Sequence, residues 1–423
     1  MNCHSVFSNS GGLPPKAENA RTIHFPLAGL GVVLCAAALV FATIIASGLC
    51  ASAAGLPIQA GAAPQPVKRV SIRYAKYFSL EYHGDVKELK VFSSRRDHST
   101  IFTYILVPRG QKVTRIPSGA IVIKTPVRRM AANTTSCLPF LSMLHVEKAL
   151  VGFAGCKLVS SPEIAMMIRR HQIAEIGSGG DGMGMVFNVE RLYAVRPEMV
   201  MVGRAPSPKL IEAAFKPVIF ADYMEPTPLG CAEWIKFVAA FFDKEAEAGR
   251  IFDKIADRYE EQAAKVRDVA NRPTVFCAFP FRGVMYVPGG RSYVAKLIEA
   301  AGADYLWADD TTSVASPLSV EQVIERAKNA DYWLDPGDSR SLTQLAGVDE
   351  RFSVFKAFRT AHVYNNDAKV GPGGGNDFWE TGEARPDLVL KDLISIFHPE
   401  LLPSYRRIWY RRLPERIQRG KMK

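Results

Sequence analysis

Three groups of residues in this 423-residue chain have the types and spacing that site chemistry needs. Gly177-Ser-Gly179-Gly-Asp-Gly182 satisfies G-x-G-x-x-G, in which glycines let the backbone approach a pyrophosphate at a helix N-terminus. The acidic residue expected about 20 positions later to hold a ribose is missing, because Val200 to Arg204 reads Val-Met-Val-Gly-Arg. A glycine-rich loop beside a cleft therefore fits better than a nucleotide site, and a nucleotide-dependent oxidoreductase using residues 177–182 is kept as the alternative from another class. Histidines of the body, outside the leader, form the second group: His83, His98, His145, His171, His362 and His398. None are paired at i, i+4 and none stand beside a cysteine pair, so a metal site is not expected. A direct Zn- or Mn-binding transport protein, which would need convergent His and carboxylate ligands, is the second alternative. No Walker A, H-E-x-x-H or G-x-S-x-G sequence occurs, so the chain is read as a non-enzyme, with no catalytic residue and no cofactor.

The third group is Gly371-Pro-Gly-Gly-Gly-Asn-Asp-Phe-Trp-Glu-Thr-Gly-Glu. Glycines bring backbone close to a ligand, Asp377 offers an acceptor, and Phe378 and Trp379 offer flat apolar faces. The competing expectation is an aromatic pair buried in the core under the final helix.

Those loops need elements to hold them. From residue 126 the pattern alternates: a strand at Arg129 to Asn133, a helix at Leu138 to Leu150, a strand at Ala149 to Phe153, a helix at Pro162 to His171 and a strand at Met199 to Val202. A second series runs from the strand at Thr274 to Ala278, through helices at Tyr293 to Ala301 and Val320 to Ala330, to the strand at Tyr332 to Leu334. Alternation of this kind predicts parallel sheets covered by helices. The fold class is thus α/β, with two parallel-sheet lobes. Between them, Lys244 to Val269 has no proline, one glycine (Gly249) and apolar residues at Ile251, Ile255, Tyr259 and Ala263. That spacing predicts one stiff helix joining the lobes, about 39 Å long. Ahead of them, Val70, Ile72 and Tyr74, then Phe78, Leu80 and Tyr82, alternate as strands, so residues 67–125 read as a β-rich add-on. The resulting organisation is a leader (1–53), a flexible Ala/Gly/Pro linker (54–66), the add-on (67–125), lobes at 126–243 and 271–402 flanking the helix at 244–270, and a basic tail (403–423).

Hydrophobic residues make up 48% and charged residues 22%, which suits folded soluble domains and excludes collagen-like or wholly disordered chains. The net charge of +11 is concentrated: residues 403–423 hold eight bases and one acid, so 8 − 1 = +7 lies in the tail. A body close to neutral, without a basic stripe, argues against nucleic acid. In the tail, Arg406, Arg407, Arg411 and Arg412 surround Ile408, Trp409 and Tyr410, a composition suited to contact with an anionic membrane surface. A solvated, disordered tail is the alternative, favoured by Pro414 and Gly420. No Asp, Glu, Lys or Arg occurs from Thr22 to Val67, Leu27 to Leu49 is almost purely apolar, and Ala51-Ser52-Ala53 follows. This is the pattern of a secretory signal, or of an uncleaved anchor, so the body is expected to be exported, periplasmic or held on the outer side of the inner membrane. Ser47 and Leu49 do not match the residues that precede a lipidated cysteine, so Cys50 is not read as one. Cys137, Cys156, Cys231 and Cys277 remain in the body, and buried thiols are favoured over disulfides.

Read together, residues 126–402 resemble the substrate-binding proteins of ABC importers for iron complexes, haem or cobalamin, the two-lobed class with a single rigid connecting helix. The resemblance is carried by Asn188-Val-Glu190 followed by Arg196-Pro-Glu-Met-Val, by Tyr293 to Gly302, by Leu318-Ser-Val-Glu321-Gln, and by Asp377-Phe-Trp-Glu with Arg385-Pro-Asp. It implies capture of an iron-siderophore, haem or cobalamin-type ligand between the lobes and delivery to an ABC permease and its ATPase. Glu190 and Glu321 match the glutamates that dock on the permease, and Asp377 matches an acid lining the cobalamin pocket. Thr381 stands where cobalamin binders have an arginine, and Met183 and Met185 where they have a tryptophan; both departures point away from cobalamin and leave a ferric chelate or haem open. Ligands of open α/β sheets bind at the carboxyl ends of the strands. The expected ligand-binding residues are therefore Thr135, Ser136, Met183, Tyr223, Phe281, Arg282, Tyr286, Asp377, Phe378 and Trp379.

Overall fold

The computed structural model describes residues 69–93, 99–179, 185–203 and 215–416. The leader, the linker, His98, Met183 and the last seven residues lie outside them.

The start of the body forms a four-stranded sheet: β1 (Phe78–His83), β2 (Val86–Phe92), β3 (Thr100–Pro108) and β4 (Ile121–Thr125), in that order; the strand expected at Val70 to Tyr74 is not formed, and residues 69–77 run as irregular chain into β1. The first three strands pair antiparallel, and β4 runs parallel to β3. The sheet is more closely joined to the first lobe than an add-on implies. Its inner face, with Phe78, Leu89 and Tyr104, belongs to the main core, and the Phe78 ring lies 4.9 Å from Trp234.

In the first lobe, β5 (Met130–Ala132), β6 (Leu150–Phe153), β7 (Ala174–Glu175), β10 (Met199–Val202) and β11 (Pro217–Ile219) form a wholly parallel sheet of order 11-10-5-6-7. Strand β10, Met-Val-Met-Val, is buried throughout, as a strand covered on both faces must be. Its helices are α1 (Leu138–Met143), α2 (Pro162–Arg169) and α3 (Val189–Val195). The helix expected to reach Leu150 stops at Met143, since the chain turns at His145, in the left-handed region at φ 57°, where the Val146 N–H closes back on the Leu141 carbonyl.

The second lobe repeats the plan with β12 (Thr274–Cys277), β15 (Asp304–Tyr305), β17 (Tyr332–Leu334), β18 (Val363–Asn365) and β19 (Arg411–Arg412), in the order 15-12-17-18-19. Only the edge strand β19 is antiparallel. A separate antiparallel sheet of β13 (Phe279–Phe281), β14 (Val284–Pro288) and β16 (Ala315–Ser319) stands beside it.

Two helices occupy the centre. The first, α4 (Pro228–Ala240), is buried at every residue, which marks a helix inside the molecule rather than on its surface. The second, α5 (Glu245–Lys265), is the connecting helix, unbroken for 21 residues and so about 32 Å long. It packs against α4 on one side and against the last long helix, α9 (Pro386–Phe397), on the other, and so spans both lobes; the helices between them include α6 (Tyr293–Ala300), α7 (Val320–Ala327) and α8 (Thr381–Ala384), with short helical segments at Leu342–Val348 and Lys356–Arg359. Its single glycine, Gly249, faces Val70 of the incoming chain. That chain is clipped to α4 and to the turn before it by carboxylates: Glu233 of α4 accepts the N–H groups of Arg73, Tyr74 and Ala75, and Glu225, ahead of the helix, those of Lys76 and Tyr77. Lys87 of β2 reaches the α4–α5 junction, donating to the Ala240 carbonyl at 2.7 Å and to Glu245 at 2.6 Å.

The tail departs from expectation. Trp409, Tyr410 and Leu413 are buried in the second lobe, and Asp392 accepts the N–H groups of Ile408, Trp409 and Tyr410. Arg411 pairs with Asp367, and Arg412 donates to the Ala361 carbonyl. The aromatic centre is thus core, which corrects the disordered expectation for residues up to 416 and takes Trp409 and Tyr410 out of the membrane expectation, while Arg406, Arg407 and Arg412 stay exposed. All four body cysteines are free, three of them buried.

Candidate functional site

The two lobes meet where their parallel strands end. After β6, residues 157–161 of the first lobe touch the glycine loop 371–375 that follows β18 in the second. A Cβ at Gly373 would overlap the Lys157 carbonyl oxygen, and one at Gly375 the Leu158 carbonyl oxygen, so only glycine permits this approach. Ser160 Oγ donates to the Gly375 carbonyl at 3.0 Å. Glu380 completes the seam by accepting from the backbone N–H groups of Ser160 (2.7 Å) and Ser161 (2.8 Å) ahead of α2. Burial pushes the Glu380 carboxyl up to about 7, against the lowering effect of those two hydrogen bonds. The glycines therefore serve backbone contact between lobes, not the ligand approach expected of them.

Each sheet presents an acid at its carboxyl edge. In the first lobe Asp222 follows β11, is buried, and takes a hydrogen bond from Ser136; burial raises its carboxyl to about 7, with Glu225 adding to the rise. In the second lobe Asp335 follows β17 in the left-handed region, at φ 54°. Its Oδ2 accepts from Cys277 Sγ at 3.5 Å and Tyr410 OH at 3.3 Å, while its Oδ1 has no partner among the described residues. Burial again raises the carboxyl to about 7. The nearby Tyr293 hydroxyl, at the start of α6, is likewise buried without a partner among the described residues. Sequence reasoning missed Asp222, Asp335 and Glu380. A signal existed for the first two, since each acid closes an apolar strand, as in Val-Ile-Phe-Ala-Asp222 and Tyr-Trp-Leu-Asp335.

The expected ligand residues divide. Thr135, Tyr223, Phe281, Tyr286 and Trp379 are half-buried, and Ser136 is buried. Arg282 is exposed at the tip of the β13–β14 hairpin, with its guanidinium 5.1 Å above the Phe281 ring. Met183 lies outside the described residues. Asp377 and Phe378 are corrections: both are fully buried in the second lobe. Asp377 is held by Lys369 at 2.9 Å, Trp409 Nε1 at 2.8 Å and Thr381 Oγ1 at 3.0 Å. Its acceptors are committed to the lobe itself, and Phe378 packs edge-on against Trp379 and Tyr410. Thr381, noted for replacing an arginine, bonds Asp377 directly, and Lys369 supplies the cation.

Glu190 and Glu321 are exposed in the first turns of α3 and α7, behind the capping residues Asn188 and Ser319, where a helix N-terminus favours negative charge. Glu321 also pairs with Arg351. The dinucleotide expectation fails on context: Gly177–Gly179 is strand β8, which pairs antiparallel with β9 (Met185–Phe187), whereas the fingerprint opens a helix. His145, His171, His362 and His398 join no cluster of three metal-ligating side chains among the described residues.

This two-lobed geometry has known counterparts. Residues 179–370 match the periplasmic binding protein family. The resemblance read from the sequence therefore stands. Two uncharacterized lipoproteins of Methanocaldococcus jannaschii are similar over 78% of this chain, one 27% identical and covered over 82% of its length, the other 29% and 83%. Among solved structures, a periplasmic binding protein from Veillonella parvula is 15% identical with a TM-score of 0.50, over 68% of this chain and 95% of its own. A structure described as an ABC-type Fe3+-hydroxamate transport system, from Saccharomonospora viridis, is 18% identical with a TM-score of 0.50, over 64% and 94%. At these identities the two structures speak for the fold: two α/β lobes of the periplasmic binding protein kind. No helix among the described residues is long and apolar enough to cross a membrane.

Proposed function

We propose that the protein is an exported substrate-binding protein that holds a compact metal complex, an iron-siderophore, haem or a related chelate, between its lobes and passes it to an ABC permease with its ATPase. The observation that carries this reading is the meeting of two parallel sheets at their carboxyl edges across one unbroken helix, in a chain that matches the periplasmic binding proteins. In this reading the ligand lies between the facing edges, and Thr135, Tyr223, Phe281, Arg282, Tyr286 and Trp379, none of them fully buried, are the rings, hydroxyls and guanidinium offered to a flat or bulky ligand. With Asp377 and Phe378 turned inward, stacking falls to Trp379 and the hairpin aromatics. The Fe3+-hydroxamate transport description of the Saccharomonospora viridis neighbour and the lipoprotein names of the archaeal relatives support an iron-complex ligand and an outward-facing location. Glu190 and Glu321 provide the permease contacts, one on each lobe.

Native mass spectrometry of the protein as purified, followed by tryptophan-fluorescence titration with ferric hydroxamate, haemin and cyanocobalamin, tests the reading. Saturable one-to-one binding of a metal complex, weakened at least tenfold by Trp379→Ala, is the expected result. Failure of all three ligands together with stoichiometric binding of NAD would replace it with the oxidoreductase reading.

A further inference from the structure

Far from the cleft, the outer face of the β1–β4 sheet holds the one group of three metal-ligating side chains that converges among the described residues: Glu81, His83 and Glu88. The turn Gly84-Asp85, with Gly84 at φ 65°, fixes the β1–β2 register so that Glu81 faces Glu88 directly and His83 faces Val86. Glu81 and His83 are two residues apart and therefore share a face of the sheet. Two carboxylates directly opposite one another repel, and this pairing destabilises the hairpin unless a cation lies between them.

Among the described residues, the surroundings supply only part of that charge. Glu88 sits on a face where Val86 and Ile105 are buried, and its side chain is only 12% exposed. Lys90 Nζ lies 3.3 Å from Glu88 Oε1, while Oε2 turns to His83 Nε2 at 3.4 Å. One lysine thus balances one of two carboxylates, and from the side away from the histidine. One atom from each of the three side chains lies within 4.8 Å of the others. Metal–ligand bonds of about 2.0 to 2.2 Å need ligand atoms roughly 3 to 3.6 Å apart, a gap that rotation of the exposed Glu81 side chain closes. One imidazole with two carboxylates suits a first-row divalent ion better than calcium or magnesium, which prefer oxygen alone.

We propose that Glu81, His83 and Glu88 form a surface site for a divalent transition-metal ion that ties the first hairpin together. The site is independent of the cleft, so its failure would leave the ligand reading untouched. The probe is Zn2+, titrated calorimetrically into tag-free, chelator-stripped protein, alongside His83→Ala, Glu81→Gln and a His362→Ala control. The wild type and the control should each bind one equivalent that both site variants bind at least tenfold more weakly. Melting curves separate binding from misfolding. Without metal, Glu81→Gln should melt no lower than the wild type, because it relieves the carboxylate repulsion; with Zn2+, only the wild type and the control should gain. No uptake by the wild type, or uptake retained by both site variants, overturns the proposal.

Discussion

The seam at Glu380 allows a pH-dependent test. In the fold its carboxyl is raised from 4.5 to about 7, chiefly by burial. The folded protein therefore holds this proton through a range in which the unfolded chain has released it, and the group's contribution to stability is greatest below about 4.5 and lost as pH rises through 7. Taking those two values, linkage gives a loss of about 2 to 3 kcal/mol between pH 5 and pH 8. Glu380→Ala removes that dependence, and it also strips the acceptors from the Ser160 and Ser161 N–H groups, each worth about 1 to 3 kcal/mol when left unsatisfied. The variant should therefore be clearly less stable than the wild type at pH 5, by about 2 to 6 kcal/mol, and the deficit should shrink by about 2 to 3 kcal/mol at pH 8. Asp222 and Asp335 also titrate near 7, but they are common to both proteins and cancel in the difference. Urea unfolding of both proteins at the two pH values measures it. A deficit that stays constant, or grows with pH, would refute the account of a carboxyl buried against the other lobe.

Further outcomes follow from the same contacts. Gly373→Ala should push the lobes apart at Lys157 and lower stability by about 1 to 3 kcal/mol, read by thermal melting, whereas Gly347→Ala, with nothing within 4 Å of the added methyl, should not. Trp409→Ala should cost about 3 to 5 kcal/mol, because the side chain is core, and should leave co-sedimentation with anionic vesicles unchanged. Charge reversal at both Glu190 and Glu321 should abolish import in cells while ligand affinity in solution is kept, and import that survives both changes removes the docking role.

How far the sequence could be read depended on whether a residue's partners were local. The connecting helix was legible because Ala, Glu, Lys and Arg density and four-residue apolar spacing are properties of the segment itself. The strand at Phe78–His83 was legible for the same reason, whereas the equal alternation of Val70, Ile72 and Tyr74 was not a strand, because the N–H groups of residues 73–77 go to Glu233 and Glu225 instead of to a neighbouring strand. Trp409 and Tyr410 were not: seven residues of Arg-Arg-Ile-Trp-Tyr-Arg-Arg show no period, and only Asp392 and strand β18, distant in sequence, show that the rings point inward. Residues 371–375 announced a close backbone approach without saying to what. Asp377 looked like a ligand acceptor because its three partners, Lys369, Thr381 and Trp409, are brought together only by the fold.

The clip that fastens residues 73–77 to α4 also constrains the order in which the molecule can be assembled. Those N–H groups reach their carboxylates across as many as 160 residues of chain, and the inner face of the first sheet is covered by a helix whose last residue is Ala240. Among the described residues, the rings that pack on Phe78 come from this helix, so a nascent chain shorter than about 240 residues carries that part of its first sheet without its cover. Pairings of such long range close slowly and leave surfaces open to aggregation meanwhile.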